Sequence, residues 1–186
     1  MFEDYEPKEA TGRAMAREIC DWVEALLMAA ICVVLLFAFV GRLSDVEGVS
    51  MRPTLERNDR LMITRMGRQP RQGDIVVVTL PPERHREPLV KRVIATEGQT
   101  IDIDFIAGIV LIDGQEQYEP YIAEATMMGY DMRFPQTVPE GHIFMMGDNR
   151  NNSLDSRNTQ IGMVDNRHVL GRAVYRVFPY GRAGIP

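Results

Sequence analysis

Ser50 and Lys91 are the two side chains whose type and setting suit acyl transfer. Ser50 stands in Val46-Glu47-Gly48-Val49-Ser50-Met51-Arg52-Pro53-Thr54-Leu55, shortly after a long apolar run. Lys91 lies inside Leu89-Val90-Lys91-Arg92-Val93-Ile94, an otherwise apolar strand pattern. On a strand, Leu89, Lys91 and Val93 share one face and Val90, Arg92 and Ile94 the other, so one of the two bases must point inward if either face is buried. Burial disfavours an ammonium and makes a neutral amine available near neutral pH. Such an amine can take the proton of a serine hydroxyl, in place of a His–Asp pair. The pair therefore points to a membrane-anchored Ser/Lys hydrolase. Plainer readings stand beside it, since turn serines commonly cap helices and strand-end lysines commonly snorkel to water.

Several neighbours would support that chemistry. Asp45–Val49 is expected as a strand leading to Ser50, and Pro53 suits the first turn of a helix after it. A serine so placed offers both its hydroxyl and its backbone N–H to a carbonyl. Gly48 lets a substrate backbone approach closely. A third run, Gly147-Asp148-Asn149-Arg150-Asn151-Asn152-Ser153-Leu154-Asp155-Ser156-Arg157, is denser in hydrogen-bonding side chains than a simple loop needs. It is no calcium loop, because Arg150 takes a ligand position and the sixth position lacks glycine. A polar network of Asp148, Arg150, Asp155 and Arg157 is expected there, with Ser153 near Lys91 to orient its amine. His85, His142 and His168 lack metal-ligand spacing, so neither a metal site nor a cofactor is expected.

The elements that must position these groups follow from patterning. Residues 1–20 read as a short polar tail. Ala25–Val40 carries no charge, and with Trp22 and Val23 reaches about the 20 residues that cross a bilayer, so a transmembrane helix is expected over 21–41. Lys8, Arg13 and Arg17 precede it and Arg42, Arg52, Arg57 and Arg60 follow, which leaves its orientation open. Cys20 and Cys32 would lie roughly 18 Å apart on one helix, beyond disulfide reach. The remainder, 42–186, is expected to be mainly β, with short strands at 60–64, 74–80, 89–95, 100–104, 109–112, 142–146 and 172–178. Asp113-Gly114 marks a hairpin. Residues 81–88 read as a solvated connector, and 118–140 as an irregular flap over the site. The net charge of −5, with no long basic block, gives no reason to expect nucleic-acid binding.

Taken in order, the anchor, Ser50-Met51-Arg52-Pro53-Thr54-Leu55, Gly73-Asp74, Lys91-Arg92-Val93 and the 147–157 run resemble the bacterial type I signal peptidases. The resemblance implies a β-rich signal-peptidase fold and a membrane-anchored serine endopeptidase that removes signal peptides from exported preproteins. It implies Ser50 as nucleophile, Lys91 as general base, Ser153 as the group orienting the lysine, and an Asp155–Arg157 salt bridge. Val46, Met51, Leu55 and Val90 are the expected substrate pocket. The catalytic domain would face outward on a single-pass anchor, act as a monomer, and have preproteins and the lipid bilayer as partners. Some members carry a serine oxyanion donor where this chain has Gly48. Two alternatives remain: self-cleaving repressor-type proteins, which carry a DNA-binding domain instead of a membrane helix, and a membrane-tethered, non-catalytic β scaffold.

Overall fold

The structure is a computed structural model. It describes residues 8–40, 42–65 and 69–186, with the side chains of 15–34, 42–65 and 69–186. The chain divides into two units, residues 1–40 and 41–186.

The described residues of the first unit form one helix, α1, Lys8–Val40. Among the described residues no helix is long and apolar enough to cross a membrane. Every eighteen-residue stretch of the described side chains holds Arg17, Glu18, Asp21 and Glu24, of which only Asp21 and Glu24 belong to the span expected over 21–41. Residue 41 and the side chains of 35–40, the most apolar end of the expected span, lie outside the described residues. Cys20 and Cys32 are both free and exposed on α1.

The second unit is mainly β. Its larger sheet has seven strands: β1 (Arg42–Asp45), β2 (Arg60–Thr64), β3 (Ile75–Val78), β4 (Leu89–Thr96), β9 (His142–Met146), β10 (Val164–Asp165) and β11 (Val169–Phe178). They run antiparallel in the order β1-β2-β11-β3-β4-β9-β10. A smaller antiparallel sheet orders β7 (Gln115–Glu116), β6 (Ile109–Ile112), β5 (Thr100–Asp104) and β8 (Gln136–Thr137). The hairpin between β6 and β7 turns at Asp113 and Gly114, with φ of 52° and 77°. Both values lie in the left-handed region that an Asp-Gly turn supplies.

The strands expected at 60–64, 100–104, 109–112 and 142–146 have those bounds. The strand expected over 45–49 ends at Asp45, because residues 46–49 leave the sheet to form the loop that carries Ser50. The residues directly after Ser50 form no helix; a single turn closes where the Leu55 N–H donates to the Met51 carbonyl at 2.9 Å.

β4 organises the core. Its Leu89 and Val93 join Val76, Val78, Ile143 and Met145 in one apolar cluster. Val90 packs against a second cluster with Val46, Met51, Leu55, Leu61, Ile75 and Val77. Ile94 and Ala95 enter a third, which fills the space beside the smaller sheet with Ile101, Ile103, Val110 and Phe144. A strand buried on both sides has no solvent face to give a charged residue, so both Lys91 and Arg92 are buried, at 3% and 7% exposure.

Candidate active site

Lys91 pairs across the sheet with Val76 and shares its face with Leu89 and Val93. This apolar row strips water from the amine. Desolvation lowers the ammonium from its ordinary 10.5 to about 8, against the opposing pull of the Asp155 and Asp148 carboxylates. The Lys91 Nζ lies 2.7 Å from the Ser50 Oγ. A depressed amine within hydrogen-bond reach of a hydroxyl is the geometry of a nucleophile beside its base.

Ser50 owes its position to backbone contacts from a distant segment. The Asn149 N–H donates to the Ser50 carbonyl at 2.9 Å, and the Asn149 side-chain amide donates to the Val49 carbonyl at 3.2 Å. The Thr54 hydroxyl donates to Asp148 at 2.5 Å, tying down the other end of the serine loop. Asp148 is fully buried and receives two parallel bonds from Arg92, Nε at 2.8 Å and Nη2 at 2.7 Å. Arg92 is thus buried because a carboxylate just past the neighbouring strand β9 neutralises it. Such bidentate pairs combine charge with fixed geometry.

Asp155 and Arg157 form a second buried pair, with Nε to Oδ1 and Nη2 to Oδ2 both at 2.9 Å. Asp155 also accepts from the Gly147 N–H at 3.1 Å. Arg157 reaches onward to the carbonyls of Met128 and Arg150, each at 2.7 Å. Ser153 is buried in this loop, but its Oγ makes no hydrogen bond, to Lys91 or to any other group. Its carbonyl instead accepts from the Tyr130 hydroxyl at 2.8 Å.

A groove of ≈ 390 Å³ opens over the pair, lined by Val46, Gly48, Ser50, Met51, Val90, Lys91 and Leu154 among others. Larger hollows beside Gly171 and Gly108 contain neither Ser50 nor Lys91. Of the expected pocket residues, Val46, Met51 and Val90 line the groove. Leu55 does not, because it is fully buried in the apolar cluster beneath. Gly48 sits at the groove with room to spare: a Cβ built there would meet the Ser50 N and Oγ only at 3.9 Å.

Two segments match their expected parts only partly. The 81–88 connector has no buried residue, in keeping with a solvated connector, and it is also pinned, with Arg84 donating to the carbonyls of Gln160 and Ile161. Its His85, Glu87 and Pro88 form one bank of the groove. The 118–140 segment is irregular as expected up to β8, but it is a bound strap and none of its residues lines the groove. Glu119 holds Arg150, the Met127 and Met128 N–H groups donate to Asn151, and Thr159 bonds Asp131. Glu119 carries no local mark in the sequence, since a glutamate beside Pro120 in an irregular stretch reads as surface. Only the long-range contact with Arg150 identifies it.

The family model for signal peptidase, peptidase S26, matches residues 19–178. The chain is 37% identical over 172 residues to a probable signal peptidase I-1 of Synechocystis, covering 87% of this chain and 84% of that protein. It is 34% identical over 170 residues to a signal peptidase I of Bacillus licheniformis, covering 86% and 89%. A crystal structure of a signal peptidase I from Enterococcus faecalis aligns at 28% identity and a TM-score of 0.44, over 56% of this chain and 97% of that one. With a family match across most of its length and relatives of this identity, the chain belongs to the signal peptidase family, peptidase S26, and is a serine peptidase.

Proposed function

We propose that Ser50 and Lys91 are the catalytic dyad with which this signal peptidase hydrolyses the scissile amide of a preprotein. The observation that carries this reading is the 2.7 Å separation of Nζ and Oγ at an amine only 3% exposed. The neutral amine takes the hydroxyl proton as Oγ attacks the scissile carbonyl carbon. The resulting ammonium passes that proton to the leaving amine as the C–N bond breaks, leaving an ester on Ser50. Lys91, neutral again, takes a proton from water as the water oxygen attacks the ester carbonyl. The ammonium then returns that proton to Ser50 Oγ as the ester bond breaks, freeing the signal peptide as an acid that ionises to its carboxylate.

The Ser50 N–H is the oxyanion donor in this scheme. Asp155 and Arg157 hold the loop in register. Ser153 keeps a supporting part, its unpartnered hydroxyl serving as a partner for the amine when Lys91 turns from Ser50. Val46, Met51 and Val90 form the apolar floor that takes small substrate side chains. Both members of the dyad come from one chain, which supports a monomer as the working unit.

We infer further that the run through Val40 anchors the protein in the lipid bilayer as a single-pass helix, with the catalytic unit outside the cytoplasm. The uncharged sequence Ala25–Val40 supports this reading. Anchoring would hold the site where the cleavage end of a signal peptide emerges, raising its local concentration. The scaffold alternative requires the 2.7 Å pairing to be incidental, and no other feature of the chain favours it.

The test is preprotein cleavage by purified Ser50→Ala and Lys91→Ala variants, with near-normal turnover from either rejecting the dyad. Alkaline extraction of membranes from expressing cells tests the anchor: release of the chain with peripheral proteins would reject it.

A further inference from the structure

We propose that Glu119, remote in sequence from Ser50, is a positioning residue for this nucleophile and acts through Arg150 and the Gly147 backbone. The inference rests on the Ser50/Lys91 reading and deepens it.

Glu119 and Arg150 form a buried fork, with Nη1 to Oε2 at 2.7 Å and Nη2 to Oε1 at 2.5 Å. Their side chains are 6% and 0% exposed. The same guanidinium donates through Nε to the Gly147 carbonyl at 3.1 Å, and through Nη1 to the Thr126 hydroxyl at 2.8 Å. Gly147 is the junction. Its N–H is held by Asp155 and its carbonyl by Arg150, while its Cα faces Ser50 and Ser153 so closely that no side chain fits. Moving the Gly147 carbonyl therefore moves the wall against which the nucleophile's own carbonyl rests.

Tyr121 completes the clamp. Its hydroxyl donates to the Glu119 Oε1 at 2.9 Å. Burial and the Glu119 carboxylate push its ionisation above the ordinary phenol range, so it remains a donor. Its ring lies 4.1 Å from the Arg92 guanidinium and 5.9 Å from that of Arg150. Arg92 is the partner of Asp148, whose neighbour Asn149 grips the Ser50 carbonyl. One glutamate thus orients both arginines that brace the serine loop, one by a salt bridge and one through the stacked ring.

Kinetics provide a readout separate from folding. With Glu119 neutralised, the buried Arg150 guanidinium loses its charged fork and keeps its bonds to Gly147 and Thr126. The Lys91 titration answers to burial and to Asp155, Asp148 and Arg157, so a positioning role for Glu119 lowers kcat without moving the pH midpoint. A loop displaced by ~1 Å costs on the order of 100-fold in rate when reacting atoms lose alignment.

The experiment is cleavage of a preprotein by the purified full chain in detergent, comparing wild type with Glu119→Gln and Tyr121→Phe across pH, with Ser50→Ala as reference. Glu119→Gln should lose at least about tenfold in kcat with KM within about twofold, and its pH midpoint should match that of wild type. Tyr121→Phe, which removes one donor and keeps the ring, should lower kcat by less. Wild-type kcat in a folded Glu119→Gln protein would overturn the proposal. If that variant does not fold, wild-type kcat in Tyr121→Phe would overturn it. An active Ser50→Ala protein would instead reject the dyad itself, and so separates the two failures.

Discussion

Gly147 and Ser50 meet without space for a single methyl group: a Cβ on Gly147 would overlap the Ser50 carbonyl oxygen and lie 2.6 Å from the Ser153 Cβ. Neither neighbour can yield, because the Ser50 carbonyl is held by the Asn149 N–H and Ser153 is buried in the same loop. Gly147→Ala should therefore push the serine loop away from Lys91. The expected result is a loss of cleavage of about 100-fold and a stability cost of about 1–3 kcal/mol. Preprotein turnover and thermal denaturation of the purified variant check both.

The pH dependence follows from the lowered ammonium. In the proposed dyad only neutral Lys91 accepts the Ser50 proton, and with a titration near 8 about one molecule in ten has the amine neutral at pH 7. The cleavage rate under subsaturating substrate should rise about tenfold per pH unit below the midpoint and level off above roughly pH 9. A flat profile from pH 6 to 9 would contradict Lys91 as the base.

Stability should rise with pH as activity does, but over a higher window. Lys91 titrates near 8 when folded and near its ordinary 10.5 when unfolded. Above 10.5 neither state binds the proton and there is no penalty. As pH falls toward 8 the unfolded chain gains the proton first, so stability is lost across that window, and below 8 the full cost remains. Lys91→Met should abolish turnover yet stabilise the domain by about 3 kcal/mol at neutral pH. The advantage over wild type should vanish above about pH 10.5. Denaturant titrations of both proteins at pH 7 and pH 10.5 give the comparison.

Gly48 offers the converse of Gly147. The nearest atoms to a Cβ there are 3.9 Å away, and its φ lies outside the left-handed region, so a side chain enters without strain. Gly48→Ser should leave stability within about 0.5 kcal/mol of wild type. It should also raise kcat several-fold by adding a hydroxyl donor beside the Ser50 N–H, where the oxyanion forms. An unchanged or lower kcat in a fully folded variant would show that this position does not face the developing charge.

A buried charge pair on the far side of the loop gives a separate check. Arg92→Met leaves the fully buried Asp148 without its bidentate partner. Removing one member of such a pair typically costs about 3–5 kcal/mol. Chemical denaturation of the variant should show a loss of that size, well above that of an exposed pair such as Arg52–Glu56.

Local sequence carried the site only in part. The alternation around Lys91 placed it on a strand among apolar neighbours, and Asp113-Gly114 marked its hairpin, because strand faces and turn conformations are set within a few residues. The same alternation implied that one of Lys91 and Arg92 turns inward. Both do, because β4 is covered on both sides and Asp148, far along the chain, neutralises Arg92. Leu55 shares the serine motif with Met51 yet falls beneath the groove, since a single closed turn points it into the core.

What the chain determined by itself was the inventory: a hydroxyl in a loop leaving β1, an amine on a strand with apolar neighbours, and a polar loop dense in donors and acceptors. Tertiary structure alone decided that the amine would meet the hydroxyl at 2.7 Å, that Ser153 would bond neither, and that Glu119 would brace the loop through Arg150. The reason is range. Propensity and periodicity act over neighbouring residues, whereas desolvation and charge pairing depend on which distant segments the folded chain brings together.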